Sequence, residues 1–142
     1  MANSFICNIV SAEASIFSGN VEQVVASGVM GDLGILPGHA PLLTELQPGP
    51  IRVIHDDGKE ENFFVSGGFM EVQPDVVTIL ADAASRASDL NEAAAEEARQ
   101  QALKAFNEKS SELDYTRAAA ELAEAVAQLR TIQQLRKKAG KG

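Results

Sequence analysis

The 142-residue chain has no tryptophan, one tyrosine and one cysteine, and only 12 Lys and Arg against 20 Asp and Glu, a net charge of −8. Scarce positive charge argues against nucleic acid, whose phosphates demand a basic patch. The lone Cys7 has no partner for an internal disulfide. It lies among alternating apolar residues (Phe5, Cys7, Ile9), a setting for a buried, inert thiol rather than a nucleophile. No apolar run approaches the roughly 20 residues that span a bilayer, and the N-terminus lacks a basic region followed by an apolar stretch. The expectation is a soluble, intracellular, acidic protein that meets membranes only through partners.

Parts for catalysis are also missing. There is no Gly-x-x-x-x-Gly-Lys-Ser/Thr loop to cradle a phosphate. His39 and His55 are the only histidines, too few and too far apart in sequence for a zinc site. Ser66, His39 and Asp32 formally supply a serine triad, but nothing in their spacing recommends it. Ser66-Gly67-Gly68 reads instead as a bulge or close backbone contact. The chain is expected to be no enzyme by itself and to need neither cofactor nor metal.

What is present falls into two halves, with a change of character near Asp82. Nine of the 11 glycines and all five prolines precede it. Residues 1–84 hold two basic and 11 acidic side chains, residues 85–142 ten basic and nine acidic. The first half reads as β, with β-branched and aromatic runs at Phe5–Val10, Val21–Val25, Ile51–His55, Asn62–Val65 and Val76–Leu80. Asp56-Asp57-Gly58-Lys59 is a hairpin signal, because glycine accepts the positive φ of tight turns. Gln47-Pro48-Gly49-Pro50 reads as a second turn. Many short strands imply a small sandwich or flattened barrel over residues 1–85.

Residues 86–142 read as a helical hairpin, rich in alanine, the best helix former. Asp89 with Glu92 three residues later fits a capping box. Leu90, Ala94, Ala98, Ala102, Ala105 and Phe106 then share one face. Polar residues 107–111 interrupt the helix, and Asp114 is placed to cap a second. Its stripe is Tyr115, Ala118, Leu122, Ala125, Val126, Leu129, Ile132 and Leu135. A short loop between two such helices favours an antiparallel pair.

Alanine buries little area, well under the ~1.5–3 kcal/mol of a buried leucine. Its helices nonetheless persist alone, so the hairpin suits an arm that undocks without melting. The competing reading is an ordinary appendage that stays put. Arg130, Arg136, Lys137, Lys138 and Lys141 gather near the C-terminus. They complement the helix macrodipole, or else meet an acidic surface on a partner.

Between residues 11 and 82 an ordered set of motifs appears: Ser11-Ala12-Glu13, Phe17-Ser18-Gly19, Gly31-Asp32-Leu33-Gly34-Ile35-Leu36-Pro37-Gly38-His39-Ala40-Pro41-Leu42, Ser66-Gly67-Gly68, Glu71-Val72 and Val77-Thr78-Ile79-Leu80-Ala81-Asp82. Together they resemble the epsilon subunits of bacterial F-type ATP synthases, and the similarity runs on into the alanine-rich tail. The resemblance implies a β-sandwich that binds the gamma subunit and sits on the ring of c subunits. It implies a helical tail that extends toward the alpha and beta subunits of the catalytic head and inhibits ATP hydrolysis. It also implies a peripheral place on the cytoplasmic face of the inner membrane, within the complex. Carried over residue by residue, Gly31, Asp32 and Leu33 face the c-ring, with His39, Ser11 and Thr44 in the same gamma and c-ring contact set. The alternative for His39 is a hydrogen-bonded loop histidine. Arg130, Arg136, Lys137 and Lys138 form the inhibitory tail. Physically, Gly31, Gly34 and Gly38 permit sharp turns and Pro37 and Pro41 stiffen the loop between them.

One departure stands out. Some members of that family bind ATP through a Leu-Asp-x-x-Arg-Ala motif, matched here by Leu90-Asn91-Glu92-Ala93-Ala94-Ala95. Asn91 replaces the acid and Ala94 the arginine, removing a cation for phosphate. Arg86 and Arg99 are the nearby substitutes. Weak or absent ATP binding is expected. A nucleotide-sensing module and a generic scaffold with a helical arm are the other readings.

Overall fold

Strand alternation builds the first half: Phe5, Cys7 and Ile9 turn inward, while Ile6, Asn8 and Val10 point outward. The computed structural model describes residues 3–108 and 112–140, with side chains for 3–108 and 115–137. Among these, eight strands come first: β1 (Phe5–Ser11), β2 (Ser15–Gly28), β3 (Gly31–Ile35), β4 (Leu42–His55), β5 (Glu60–Val65), β6 (Gly68–Val72), β7 (Val76–Ala81) and β8 (Ala84–Arg86). A 3-10 turn at Ala87–Asp89 leads to helices α1 (Glu92–Glu108) and α2 (Glu112–Gly140). The chain forms two units, Met1–Ser88 and Asp89–Gly142.

In the first unit the ladder runs β3-β2-β1-β7-β6-β4-β5-β8, and an added β2–β4 pairing closes it. Both 14-residue strands serve two layers. β2 pairs β1 up to Val21, then runs between β3 and β4. β4 pairs β6 over Leu42–Leu46 and β5 over Gly49–Ile54. The result is the sandwich or flattened barrel expected, with Ile9, Val24, Ile51, Phe63, Met70 and Ile79 in one core. Each expected strand lies inside an observed one.

Two loop readings need correction. Gln47-Pro48-Gly49-Pro50 is not a chain reversal but a corner inside β4. Gln47 and Pro48 fall where β4 releases β6 and takes up β5, so the N–H that Pro48 lacks costs no ladder bond. The segment from Gly31 is half strand: Gly31–Ile35 pairs with β2, around a tip at Val29 and Met30. Gly34 sits extended in that strand, while Gly31 and Gly38 carry the positive φ values, 126° and 78°. The hairpin at Asp56-Asp57-Gly58-Lys59 is as read, with Gly58 at φ 88° donating to His55 O at 2.9 Å.

In the second unit, α1 and α2 lie antiparallel. Phe106 and Tyr115 stack at the loop end, ring centroids 4.4 Å apart. Glu92 and Arg136 pair at the other end. The seam is Ala95 and Ala102 against Ala118 and Ala125, each pair seven residues apart, the spacing of supercoiled helices. The α1 stripe is therefore Ala95, Arg99, Ala102 and Phe106: Ala102 and Phe106 are as expected, while Ala95 and Arg99 take the places expected of Ala94 and Ala98. Ala94, Ala98 and Ala105 are exposed. A run of three alanines at 93–95 carries no contrast from which to choose a face. The cap also moves, since Asn91 Oδ1 accepts the Ala94 N–H at 3.0 Å while Asp89 belongs to the preceding turn. α2 already begins at Glu112, which puts Asp114 inside the helix with its side chain outside the described residues. Of the polar interruption read at 107–111, residues 109–111 lie outside them as well. Thr131, buried on α2, satisfies its hydroxyl by donating to Ala127 O at 2.8 Å.

Gly68 is the least replaceable residue of the ladder. Its φ is 138°, and a Cβ there would lie 2.1 Å from Leu80 O. Gly68→Ala is expected to cost about 3 kcal/mol or more of stability. Gly58→Ala, whose Cβ meets nothing within 4 Å, should cost about 1–2 kcal/mol for its positive φ alone. Urea unfolding followed by circular dichroism measures both.

Candidate functional site

The expected contact residues occupy two ends of the sandwich. One row of strand partners runs from Ser11 through Ala81, Gly68, Leu46 and Gly28 to Gly31. Ser11 and the β2–β3 tip thus share an end. Ser11 Oγ donates to Ala14 O at 3.4 Å, and Val29 N–H to Glu45 O at 3.1 Å. Asp32 is exposed beside that tip, while Leu33 packs partly on the core. Thr44, half-buried opposite Met70, lies one inward-facing position from Leu46. His39 is elsewhere. The Gly38 N–H donates to Pro74 O at 3.2 Å, which ties its loop to the β6–β7 turn at the far end of β7. His39 Nδ1 donates to Ala40 O at 2.7 Å, so the ring has a local structural partner and leaves the other nitrogen for a contact.

A further surface was not read from the sequence. Partners Val10, Leu80, Phe69 and Glu45 form one row on the outer face of β1, β7, β6 and β4. Leu80 is 53% exposed and Phe69 49%, with Leu43 at 68% and Ile6 at 44% on the same face. An antiparallel sheet usually turns polar residues outward. Here each of the four strands places exposed or half-exposed apolar side chains outward, among Asn8, Thr78, Glu71 and Glu45, and such exposed apolar area marks an interaction surface. Its signal was available: Ile6, Val10, Phe69 and Leu80 hold the outward positions of strands that already had inward apolar ones.

Charged side chains near the carboxyl end of the first unit are engaged with one another. Arg86 Nη1 donates to Glu61 Oε1 at 2.6 Å, and its guanidinium lies 5.3 Å from the Phe63 ring centre. His55 Nε2 donates to Glu61 Oε2 at 2.7 Å, with its ring edge on Phe17. Partial burial pushes the Glu61 carboxyl up, but the hydrogen bonds from His55 and Arg86 and the Arg86 charge outweigh it and hold it below the usual range. Cys7 is buried, and burial pushes its thiol up to about 12, which makes it inert at neutral pH.

On the helices, Arg99 holds Glu96 through Nε at 3.2 Å and Nη2 at 2.6 Å. Both arginines considered for phosphate are thus bound to carboxylates within their own units. The helical unit also carries an open cleft of about 210 Å³ lined by Ala98, Gln101, Glu121, Glu124, Ala125 and Gln128. Burial, together with the Glu121 charge, pushes the Glu124 carboxyl up. Two acids there repel phosphate. Among the tail residues, Arg130, Arg136 and Lys137 are exposed. Lys138 has its side chain, and Lys141 its whole residue, outside the described ones. Among the described residues no group of side chains is arranged to hold a metal, and no helix is long and apolar enough to cross a membrane.

Comparison with known proteins follows the same division. The family model described as ATP synthase, Delta/Epsilon chain, beta-sandwich domain matches residues 4–87, and that of the long alpha-helix domain matches residues 88–133. The chain is 73% identical over 135 residues to the ATP synthase epsilon chain of Chromohalobacter salexigens, covering 95% of this chain and 96% of that one. Among solved structures, a chain of the Euglena gracilis mitochondrial ATP synthase (OSCP/F1/c-ring, rotational state 1) aligns with a TM-score of 0.81 at 21% identity, over 89% of this chain and 80% of that one. A chain of the Tetrahymena thermophila mitochondrial ATP synthase central stalk and c-ring aligns at 0.61 and 13% identity, over 90% and 96%. At such identities the likeness shows the fold.

Because Glu61 titrates below its ordinary value, its contribution is present above the unfolded carboxylate range and lost as pH falls through the folded value. Glu61→Gln is therefore expected to lower the melting temperature at pH 7 and to converge with the parent chain under acid, as thermal melts across pH will record. Millimolar ATP is expected to leave the melting temperature of the chain unchanged; a micromolar dissociation constant by calorimetry would contradict this.

Proposed function

The chain belongs to the ATP synthase delta/epsilon chain family, and on that premise we propose that it is a non-catalytic subunit of the synthase rotor that couples proton translocation to ATP synthesis. The observation that carries this is the 73% identity to a bacterial epsilon chain across nearly the whole length of both. Partners follow from that role: the gamma subunit and the c-ring for the sandwich, and the alpha and beta subunits of the head for the tail. The complex would hold the chain at the cytoplasmic face of the inner membrane.

Physical properties of the two units support a division of labour. A sandwich closed through two shared strands resists shear, which a part transmitting torque requires. Its outer apolar side chains (Ile6, Leu43, Phe69, Leu80) offer gamma a surface that water covers poorly, and Gly31 and Asp32, beside the Val29–Met30 tip and backed by Leu33, would face the c-ring. Ser11, at the end that carries the β2–β3 tip, and His39, at the opposite end, bracket the sandwich along its length, with Thr44 between them. The helical unit, sealed mainly by alanine, is the part able to rearrange. Arg130, Arg136, Lys137 and Lys138 give it cations for an acidic surface on the head, where it would restrain hydrolysis.

Three measurements test this reading. The tagged chain is expected to retain gamma and the c-ring from solubilised membranes; failure to retain either would refute it. Phe69→Ser with Leu80→Ser should weaken gamma binding at least about tenfold with little change in melting temperature, since both side chains are already half exposed. Removing residues 89–142 should leave assembly and coupling largely intact and raise ATP hydrolysis by the complex, and unchanged hydrolysis would remove the inhibitory role.

A further inference from the structure

Among the described residues, one charged contact joins the helical hairpin across its open end. Both terminal guanidinium nitrogens of Arg136 donate to the Glu92 carboxylate, Nη1 to Oε1 at 3.5 Å and Nη2 to Oε2 closer still. The partners are 44 residues apart in sequence. Among the described residues no other ion pair spans the two helices; Arg99 and Glu96 pair within α1. Glu96, the nearest like charge to Glu92, is thereby occupied by Arg99. The contact exists only while the helices lie side by side. Arg136 stands 24 residues beyond the start of α2, roughly 36 Å along the helix, so a swing of α2 at the loop carries it far from Glu92.

We propose that Glu92 and Arg136 form a clasp that closes the hairpin and, while closed, withholds Arg136 from carboxylates of a partner. The proposal rests on the rotor reading for the identity of that partner, an acidic protein surface met by the extended tail. Glu92 then acts as an internal stand-in for that surface: the same guanidinium serves either carboxylate, never both. The alanine seam makes this effective, because weak packing leaves a single exposed pair able to bias the equilibrium. Supporting this, the Arg136 contact holds the Glu92 carboxyl below its usual range, and Glu92 in turn holds the Arg136 guanidinium above its own. Closure should accordingly weaken with salt, since both side chains are largely exposed.

Pulsed EPR on the full chain, with spin labels at Gln100→Cys and Ala123→Cys, reads the separation of the helices without any partner. Glu92→Gln and Arg136→Gln should each raise the separated fraction about two- to fivefold at low salt and abolish its salt dependence. The double variant Glu92→Arg with Arg136→Glu should restore closure. An unchanged separated fraction in the single variants, or no restoration in the exchange, overturns the clasp. In the reconstituted complex, Glu92→Gln should deepen inhibition of hydrolysis, whereas the exchange variant should close yet inhibit less than the parent. Equal inhibition by all three overturns the withholding of Arg136. Failure of the rotor reading itself would show separately, as no effect of removing residues 89–142, and leaves the EPR result standing.

Discussion

Two strands that each belong to both layers hold the first unit together. Because β2 and β4 also pair with each other, the ladder closes, and neither layer separates without breaking bonds in the other. Among the described residues, closure leaves β3 and β8 as the outer members, and both are short. Short edges offer little template to another chain. The same closure dictates where unusual residues sit. β4 must turn a corner without ending, so Pro48 occupies the gap between partners; β6 must begin hard against β7, so only glycine fits at 68. The punctuation of the sequence marks bends in continuous strands as much as breaks between them.

The second unit obeys a different rule. A strand in a closed sheet is fixed by hydrogen bonds to its neighbours, but a helix satisfies its own backbone and is held to another only by side chains. With alanine at the seam those side chains contribute little area. Internal stability of each helix and adhesion between them are thus decoupled. That decoupling would let the helices part without melting, and it depends on composition rather than on any single residue.

Much of this was legible from residues alone. The β and α halves, the five strand cores, the turn at Gly58 and the buried Cys7 all followed from periodicity and turn chemistry. What escaped was tertiary in origin. Whether Gln47-Pro48-Gly49-Pro50 reverses the chain or bends it depends on which strands lie alongside, and no local pattern holds that information. The first turns of the α1 face were off by one residue, Ala95 for Ala94, because alanines at 93–95 give equal signal in three directions, whereas Ala102 and Phe106 were placed as expected. The outer apolar face was visible as residues but not as a surface, since Phe69 and Leu80 become neighbours only through the register of β6 and β7. The contact set was assembled by resemblance, and its geometry, with Ser11 and Gly31 at one end and His39 at the other, required the ladder.

An alanine seam poses a problem that its chemistry does not solve. Knobs of different size key two helices into one register, whereas a row of methyl groups fits its neighbour almost equally well after a shift of one turn. Register must then come from the ends. At the loop end Phe106 against Tyr115 supplies shape, and at the open end Glu92 with Arg136 supplies charge. Asn91 fixes where α1 begins, and so fixes the position of Glu92 on the first turn. The position that departs from the nucleotide-binding pattern therefore has a structural duty here. Asn91 keeps the capping ability that an aspartate there would also have, without its charge, and the next residue, Glu92, carries the charge that aligns the pair.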